Sequence, residues 1–251
     1  MDYELKNKVV IVTGATGEIG QSICSAFLKE SAIVVPFYRS QNKLNNLLSY
    51  CHSKKFTNNI CPIRTRLDSE TSVNKSVKQV INKFSKIDIL VNSIGFVTEG
   101  PFLLMDEGQW EKVIDINLTY IVRMIRIVLK HMFTSKSGSI VNISSVLGES
   151  FGRGAVAYSV AKAGINRLTE SLALEVGKKG IRINAVCPGV IETKMSTAIK
   201  FHLSDKILER TALHRFGSPD EVSSAVLFLA SDKTASFITG RRLYVDGGLD
   251  I

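Results

Sequence analysis

The sequence has no cysteines at CxxC spacing, no apolar run long enough to span a membrane and no dense block of basic residues. Each absence excludes a class. Cys24, Cys51, Cys61 and Cys187 are scattered, which points to reduced thiols rather than a disulfide frame or a zinc site, so no metal is expected. The opening Met1-Asp-Tyr-Glu-Leu-Lys6 lacks the charged-then-apolar layout of a secretory signal, and no membrane partner is expected. The expectation is a cytoplasmic protein. A net charge of +9 raises acidic partners, from nucleic acid to a phosphorylated cofactor or an acidic carrier protein. The charge is dispersed, however, as single residues and pairs such as Lys54-Lys55, Lys178-Lys179 and Arg241-Arg242. That is a solvated surface rather than a nucleic-acid groove. There is no internal repeat, linker or low-complexity stretch, and 251 residues suffice for one full core, so residues 1–251 read as a single domain.

What is present is an alternation of short apolar runs with helical patterns. Val9-Val-Ile-Val12 ends in Thr13-Gly-Ala-Thr-Gly-Glu-Ile-Gly20, after which Ile23, Ala26 and Phe27 recur at helical spacing. Glycines between a strand and a helix let the backbone approach a pyrophosphate, whose charge is favoured at the helix N-terminus. Ile33-Val-Val-Pro-Phe37 is a second strand, followed by Tyr38-Arg39-Ser40. At that position an acid would accept from a ribose 2′-hydroxyl, whereas Arg39 suits a 2′-phosphate, so the cofactor expected is NADP(H). A polar helix through Leu44 to Leu48 follows, then a short strand near Ile60–Ile63, a helix over Val73–Phe84 and a strand Ile87–Val91 running into Asn92-Ser-Ile-Gly95. A long helix is predicted from about Gln109 to Met132, with Asn117 inside it, then strands at Ser139–Ile143, Ile181–Cys187 and Arg242–Val245. This order predicts an α/β, doubly wound (Rossmann-type), mainly parallel seven-stranded sheet with helices on both faces. Ser218-Pro-Asp-Glu221 opens a further helix, and residues 190–213 lack any dominant period, which makes them a candidate substrate lid.

The residues that carry chemistry lie between Ser144 and Lys162. Tyr158 and Lys162 are four apart in a helical pattern with Ala161, Ile165, Leu168 and Leu172, so both project from one helix face. A free phenol keeps its proton to about pH 10. A nearby ammonium favours the phenolate and makes Tyr158 a general acid or base. Ser144 and Ser145 follow the strand Ser139–Ile143, at the carboxyl edge where open α/β sheets bind ligands.

In Thr13-Gly14 to Gly20, Asn92 to Gly95, Asn117, Ser145, Tyr158 to Lys162, Pro188-Gly189 with Thr193, and Phe237 to Gly248, the chain resembles the short-chain dehydrogenase/reductases over essentially its whole length. The likeness is to their single-domain branch, most of all the 3-oxoacyl-carrier-protein reductases. The resemblance makes Tyr158 the proton donor to a carbonyl, Lys162 the partner that lowers its pKa and binds the nicotinamide ribose, and Ser145 the holder of the substrate oxygen. It gives Asn117 a water that relays protons to Lys162. For the cofactor it implies Gly14, Thr16, Gly17, Glu18, Ile19 and Gly20 at the glycine turn, Leu67 on the adenine, and Asn92, Gly95, Pro188, Gly189, Ile191 and Thr193 toward the nicotinamide. It also implies a homo-tetramer built on the helix of Asn117, the helix of Tyr158 and the last strand.

Three positions depart from the pattern. Glu18 occupies the middle glycine of Thr-Gly-x-x-x-Gly-x-Gly, with Gly17 one place earlier, a spacing similar to the longer epimerase-like branch. Asn92-Ser-Ile-Gly95 brings a bulkier Ile94 to the nicotinamide end, and Arg66 stands where an Asp is usual. The function expected is interconversion of a ketone and a secondary alcohol by hydride transfer, on a small or carrier-protein-linked substrate. An epimerase or dehydratase, or a non-catalytic NADP(H)-binding module, are the rivals. The lack of a C-terminal substrate domain argues against the first, and the complete set Asn117, Ser145, Tyr158 and Lys162 against the second. The substrate pocket is expected from Ile94, residues 148–155 and the 190–213 segment.

Overall fold

The structure, a computed structural model, describes residues 2–54, 59–150, 153–197 and 205–249. The first strand, β1 (Val9–Thr13), lies inside the sheet and is buried at every position. Val10 and Val12 pack with Ile23, Phe27 and Val226 on one face, while Val9 and Ile11 pack with Val77, Ile125 and Ile165 on the other. Burial on both faces removes the polar alternation of a half-exposed strand, which explains the unbroken Val9-Val-Ile-Val12 run.

Around β1 lie β2 (Ile33–Tyr38), β3 (Ile63–Arg64), β4 (Ile89–Asn92), β5 (Gly138–Ile143), β6 (Ile181–Pro188) and β7 (Arg242–Val245). They form one seven-stranded sheet in the order β3-β2-β1-β4-β5-β6-β7, and every pairing is parallel. The winding reverses between β1 and β4, where Thr13 stands in register with Asn92. Beyond the carboxyl ends of these two strands the connecting loops diverge and leave a crevice.

On one face lie α1 (Glu18–Lys29), α2 (Gln41–Ser53) and α7 (Pro219–Ala230); on the other lie α3 (Glu70–Phe84), α5 (Tyr120–Ser135) and α6 (Val156–Val176). At the start of α7 the Ser218 side chain accepts from the Glu221 amide, Glu221 reaches back to the Ser218 amide, and Pro219 fills the first turn. Its last carbonyls are capped from within the sheet: Arg182 of β6, 7% exposed, donates to the Leu229 and Ala230 oxygens at 2.7 and 3.0 Å. Asp232 accepts from the same guanidinium at 2.9 Å.

Three sequence expectations change in detail. The helix predicted over 109–132 is α4 (Glu107–Ile114) and α5 joined by a π turn, Asp115–Thr119. One inserted residue is invisible to a 3.6-residue period. The strand near Ile60–Ile63 is split: Ile60 makes a single bridge to Val34, and β3 begins at Ile63, because Pro62 between them has no N–H to give the ladder. In the 190–213 segment, Ile191 bridges Gly217, Lys194–Ser196 form a 3-10 turn and residues 205–209 are helical. Residues 198–204 of that segment, and 151–152 of the expected pocket, lie outside the described residues. Among the described residues no helix is long and apolar enough to cross a membrane.

Candidate functional site

Tyr158 lies in the first turn of α6 and Lys162 one turn later, both on the side facing the end of β5. Lys162 is 2% exposed, and its Nζ donates to the Ile143 carbonyl oxygen at 2.8 Å. That ammonium is 5.4 Å from the centroid of the Tyr158 ring. Tyr158 is half-buried and hydrogen-bonds the side chain of Ser145. Ser145 Oγ also accepts from the Leu147 amide at 3.2 Å, which fixes its rotamer. Neighbouring Ser144 points elsewhere: its Oγ donates to the Lys162 carbonyl oxygen at 3.2 Å. The geometry thus separates two serines that the sequence places side by side.

The titration of this cluster differs from the sequence expectation. Burial pushes the Tyr158 phenol up to about 12, and the Ser145 hydrogen bond offsets this in part. Burial also pushes Lys162 down to about 8. Desolvation of both charged forms outweighs the attraction of an ammonium that is already engaged by a backbone carbonyl. The phenol therefore stays protonated at neutral pH, the state a proton donor needs.

Asn117 is fully buried in the π turn. Its amide nitrogen donates to the Phe96 and Val113 carbonyl oxygens at 2.6 and 2.8 Å, and its oxygen accepts from the Phe96 amide at 3.1 Å. The side chain thereby clamps the segment after β4. Gly95 sits beside it, with Asn117 Oδ1 3.6 Å from where a Cβ would stand. Asn92 at the end of β4 is also fully buried; its amide donates to Asn142 at 2.9 Å and accepts from Thr13 at 3.4 Å. Asn142 in turn donates to Thr169 of α6 at 3.0 Å. This relay of amides ties β1, β4, β5 and α6 together under the crevice. Sequence reasoning did not single out Asn142, although an amide inside the apolar run Ser139-Ile-Val-Asn-Ile143 was a visible signal.

The glycine turn closes tightly. Gly14 has φ +66°, and a Cβ there would lie 2.4 Å from the Ser93 oxygen; one on Gly20 would lie 2.2 Å from the Gly14 oxygen. Both positions exclude any larger residue. Gly17 is different: its φ is −78°, and a Cβ would meet the Gly14 oxygen at an ordinary 3.5 Å. The epimerase-like spacing therefore has no steric counterpart here. Gly17 caps α1 without a side-chain hydrogen bond, so the first amides of the helix point at the crevice. The Thr16 carbonyl accepts from Gln21, and Ile19 packs inward on the core.

Arg39 is exposed just beyond β2. Leu67 packs on the sheet with its carbonyl held by Arg123, and Arg66 is exposed and paired with Asp68 at 3.1 Å. Pro188 ends β6, and Gly189 comes so close to Asp246 that a Cβ would lie 2.8 Å from its Cα. Ile191 is buried, and the Thr193 amide donates to Ser196 at 3.2 Å. An uncapped helix start with one obligatory glycine before it, Gly14, and another in its first turn, Gly20, fits a pyrophosphate, and an exposed Arg beyond β2 fits a 2′-phosphate. Among the described residues no group of three or more His, Cys, Asp or Glu side chains is placed to hold a metal ion.

A family model described as enoyl-(acyl carrier protein) reductase matches residues 14–250. The 3-oxoacyl-(acyl-carrier-protein) reductase FabG of Aquifex aeolicus is 37% identical over 249 residues, covering 99% of this chain and 100% of that one. The FabG of Thermotoga maritima is 34% identical over 247 residues, covering 98% and 99%. Among solved structures, gox2181 superposes with a TM-score of 0.93 at 34% identity, covering 98% of this chain and 97% of that one. A protein from Burkholderia xenovorans described as a short-chain dehydrogenase/reductase superposes with a TM-score of 0.90 at 32% identity, covering 97% and 96%.

Proposed function

The chain belongs to the short-chain dehydrogenase/reductase family, and on that premise we propose that it is an NADP(H)-dependent reductase that interconverts a ketone and a secondary alcohol. The observation that carries this reading is the convergence of Ser145, Tyr158 and Lys162 beyond the carboxyl end of β5, next to β4 and the point where the winding reverses. A bound nicotinamide dinucleotide would supply the hydride. Gly14, Thr16, Gly17, Ile19 and Gly20, with the main-chain amide of Glu18, would hold its pyrophosphate, Arg39 its 2′-phosphate and Leu67 its adenine. Asn92, Gly95, Pro188, Gly189, Ile191 and Thr193 would border its nicotinamide end, with Tyr158 and Lys162 on the ribose.

The rest of the chemistry belongs to this chain. Ser145 holds the substrate oxygen by hydrogen bond, and Tyr158 delivers its proton to that oxygen as negative charge develops there. Acid catalysis of this kind is worth about 10²–10⁴-fold. Lys162 stabilises the phenolate left behind, and Asn117 fixes the backbone at Phe96 and, by resemblance, the water through which Lys162 exchanges protons. The substrate we favour is a 3-oxoacyl group, on a carrier protein or as a simple thioester, since the curated relatives carry that name.

We read residues 1–251 as one domain because a single sheet runs through it, with 190–213 as the substrate lid. We place the protein in the cytoplasm as a homo-tetramer. Exposed apolar side chains support the latter on the three elements that the resemblance assigns to subunit contacts: Phe133 on α5, Leu174 on α6 and Tyr244 on β7.

The test is a panel of 3-oxoacyl thioesters and simple ketones assayed for loss of NADPH absorbance. The reading predicts turnover of at least one 3-oxoacyl thioester, faster with NADPH than with NADH. No turnover by a protein that binds NADPH, or a preference for NADH, would count against it.

A further inference from the structure

Glu18 occupies the position of a glycine in the pattern that the glycine turn resembles, and its carboxylate is engaged. Oε2 accepts a hydrogen bond from the main-chain amide of Lys194, 176 positions along the chain, at 2.6 Å. Lys194 begins the 3-10 turn that follows Thr193, and the next residue, Met195, brings its Cε to 4.0 Å from where a Cβ on Gly95 would stand. One carboxylate thus ties the start of α1 to a turn that reaches across the crevice toward the segment after β4. A glycine at position 18 has no side chain to make that tie.

We propose that Glu18 is a positioning residue of the cofactor site: it holds the Thr193–Ser196 turn against the glycine turn in the cofactor-free protein and is displaced when the dinucleotide binds. The proposal rests on the nicotinamide-dinucleotide reading of the crevice. The physical reason is competition at one helix end. The uncapped N-terminus of α1 favours one anion. Glu18 lies in its first turn, and a pyrophosphate arriving at the α1 amides meets the like charge of its carboxylate. The carboxylate gives way, and Lys194 loses its partner as the cofactor arrives. The chain thereby has its turn ordered before the cofactor enters, at the cost of weaker dinucleotide binding.

The experiment compares the wild type with Glu18→Gln, which keeps an acceptor without the charge, and Glu18→Gly, which removes both. Hydrogen exchange at the Lys194 amide is followed in the cofactor-free proteins, and NADPH affinity is measured by fluorescence titration at low and high salt. The tie predicts slow exchange in the wild type and fast exchange in Glu18→Gly. The displacement predicts that both variants bind NADPH about fivefold more tightly than the wild type at low salt, with the gap closing as salt rises. Unchanged Lys194 exchange in Glu18→Gly, or NADPH binding that is no tighter in either variant, would overturn the proposal. If Glu18→Gly frees the Lys194 amide yet no form binds NADPH or NADH, the cofactor reading fails and the displacement with it, while the tie itself stands.

Discussion

Gly148 presses on the backbone of Lys162: a Cβ built on it would lie 2.9 Å from the Lys162 carbonyl carbon and 2.7 Å from Nδ2 of Asn166. The Asn166 amide reaches back to the Gly148 oxygen at 3.4 Å. The turn that carries Ser145 is therefore seated directly on the helix that carries Tyr158 and Lys162, and the absence of a side chain at 148 sets the spacing. Gly148→Ala must push the two apart, because the clash is with helix backbone. We expect a loss of about 1–3 kcal/mol in urea unfolding. Turnover should fall further than stability explains, because Ser145 moves relative to Tyr158. Titration and steady-state kinetics on the same preparation check both.

The buried ammonium of Lys162 makes stability depend on pH. Its folded pKa of about 8 lies below the usual lysine value of 10.5, so between these two the unfolded chain binds more protons than the folded one. Stability contributed at this site therefore rises with pH across that window and is flat below it. Lys162→Met abolishes the term. Urea unfolding of both proteins at pH 7.5 and 9.5 should show the wild type gaining on the variant by on the order of 1 kcal/mol. A gap that stays constant, or shifts toward the variant, would contradict the burial-driven shift.

Much of this arrangement was legible in the chain because the sheet is buried on both faces. Strands such as Val9–Val12 and Ile33–Phe37 show as apolar runs, and the glycine turn shows as punctuation between β1 and α1. The four-residue step from Tyr158 to Lys162 is enough to identify a shared helix face. Other features depend on contacts that local pattern does not encode. The π turn at Asn117 adds one residue to an otherwise regular period, and the partner of its side chain is the backbone of Phe96, 21 positions away. The Glu18 contact to Lys194 is longer-ranged still. The rise of the Tyr158 pKa is a property of the packed cluster, since spacing reveals the neighbouring charge but not the desolvation that opposes it.

Arg182 links the sheet to the end of α7, and its removal takes the guanidinium donor from the Ala230 oxygen and leaves the Leu229 oxygen only the longer bond from Ser139 at 3.4 Å. Arg182→Leu should cost about 2–4 kcal/mol in urea unfolding. Asp232→Asn should cost less than about 1 kcal/mol, because that side chain is 65% exposed and its charge is screened. Comparable losses in the two variants would show that the ion pair, rather than the helix cap, is the stabilising element.

Arg39 stands exposed beyond β2 with no acid beside it in sequence. Arg39→Asp should weaken NADPH binding by at least about tenfold, because it removes a charge-assisted contact to a phosphate and adds a repulsive one. NADH, which has no 2′-phosphate, should change far less. Equal losses in fluorescence titrations of both cofactors would remove Arg39 from 2′-phosphate recognition.

The central claim is that the Tyr158 hydroxyl, hydrogen-bonded to Ser145 and protonated at neutral pH, delivers the proton to the substrate oxygen. Tyr158→Phe removes that oxygen and leaves the ring in place. The most direct measurement is NADPH affinity and ketone turnover of this variant beside the wild type. The account predicts affinity within a few-fold of the wild type and turnover reduced by about 10²–10⁴-fold. Turnover at the wild-type level with NADPH bound would contradict it.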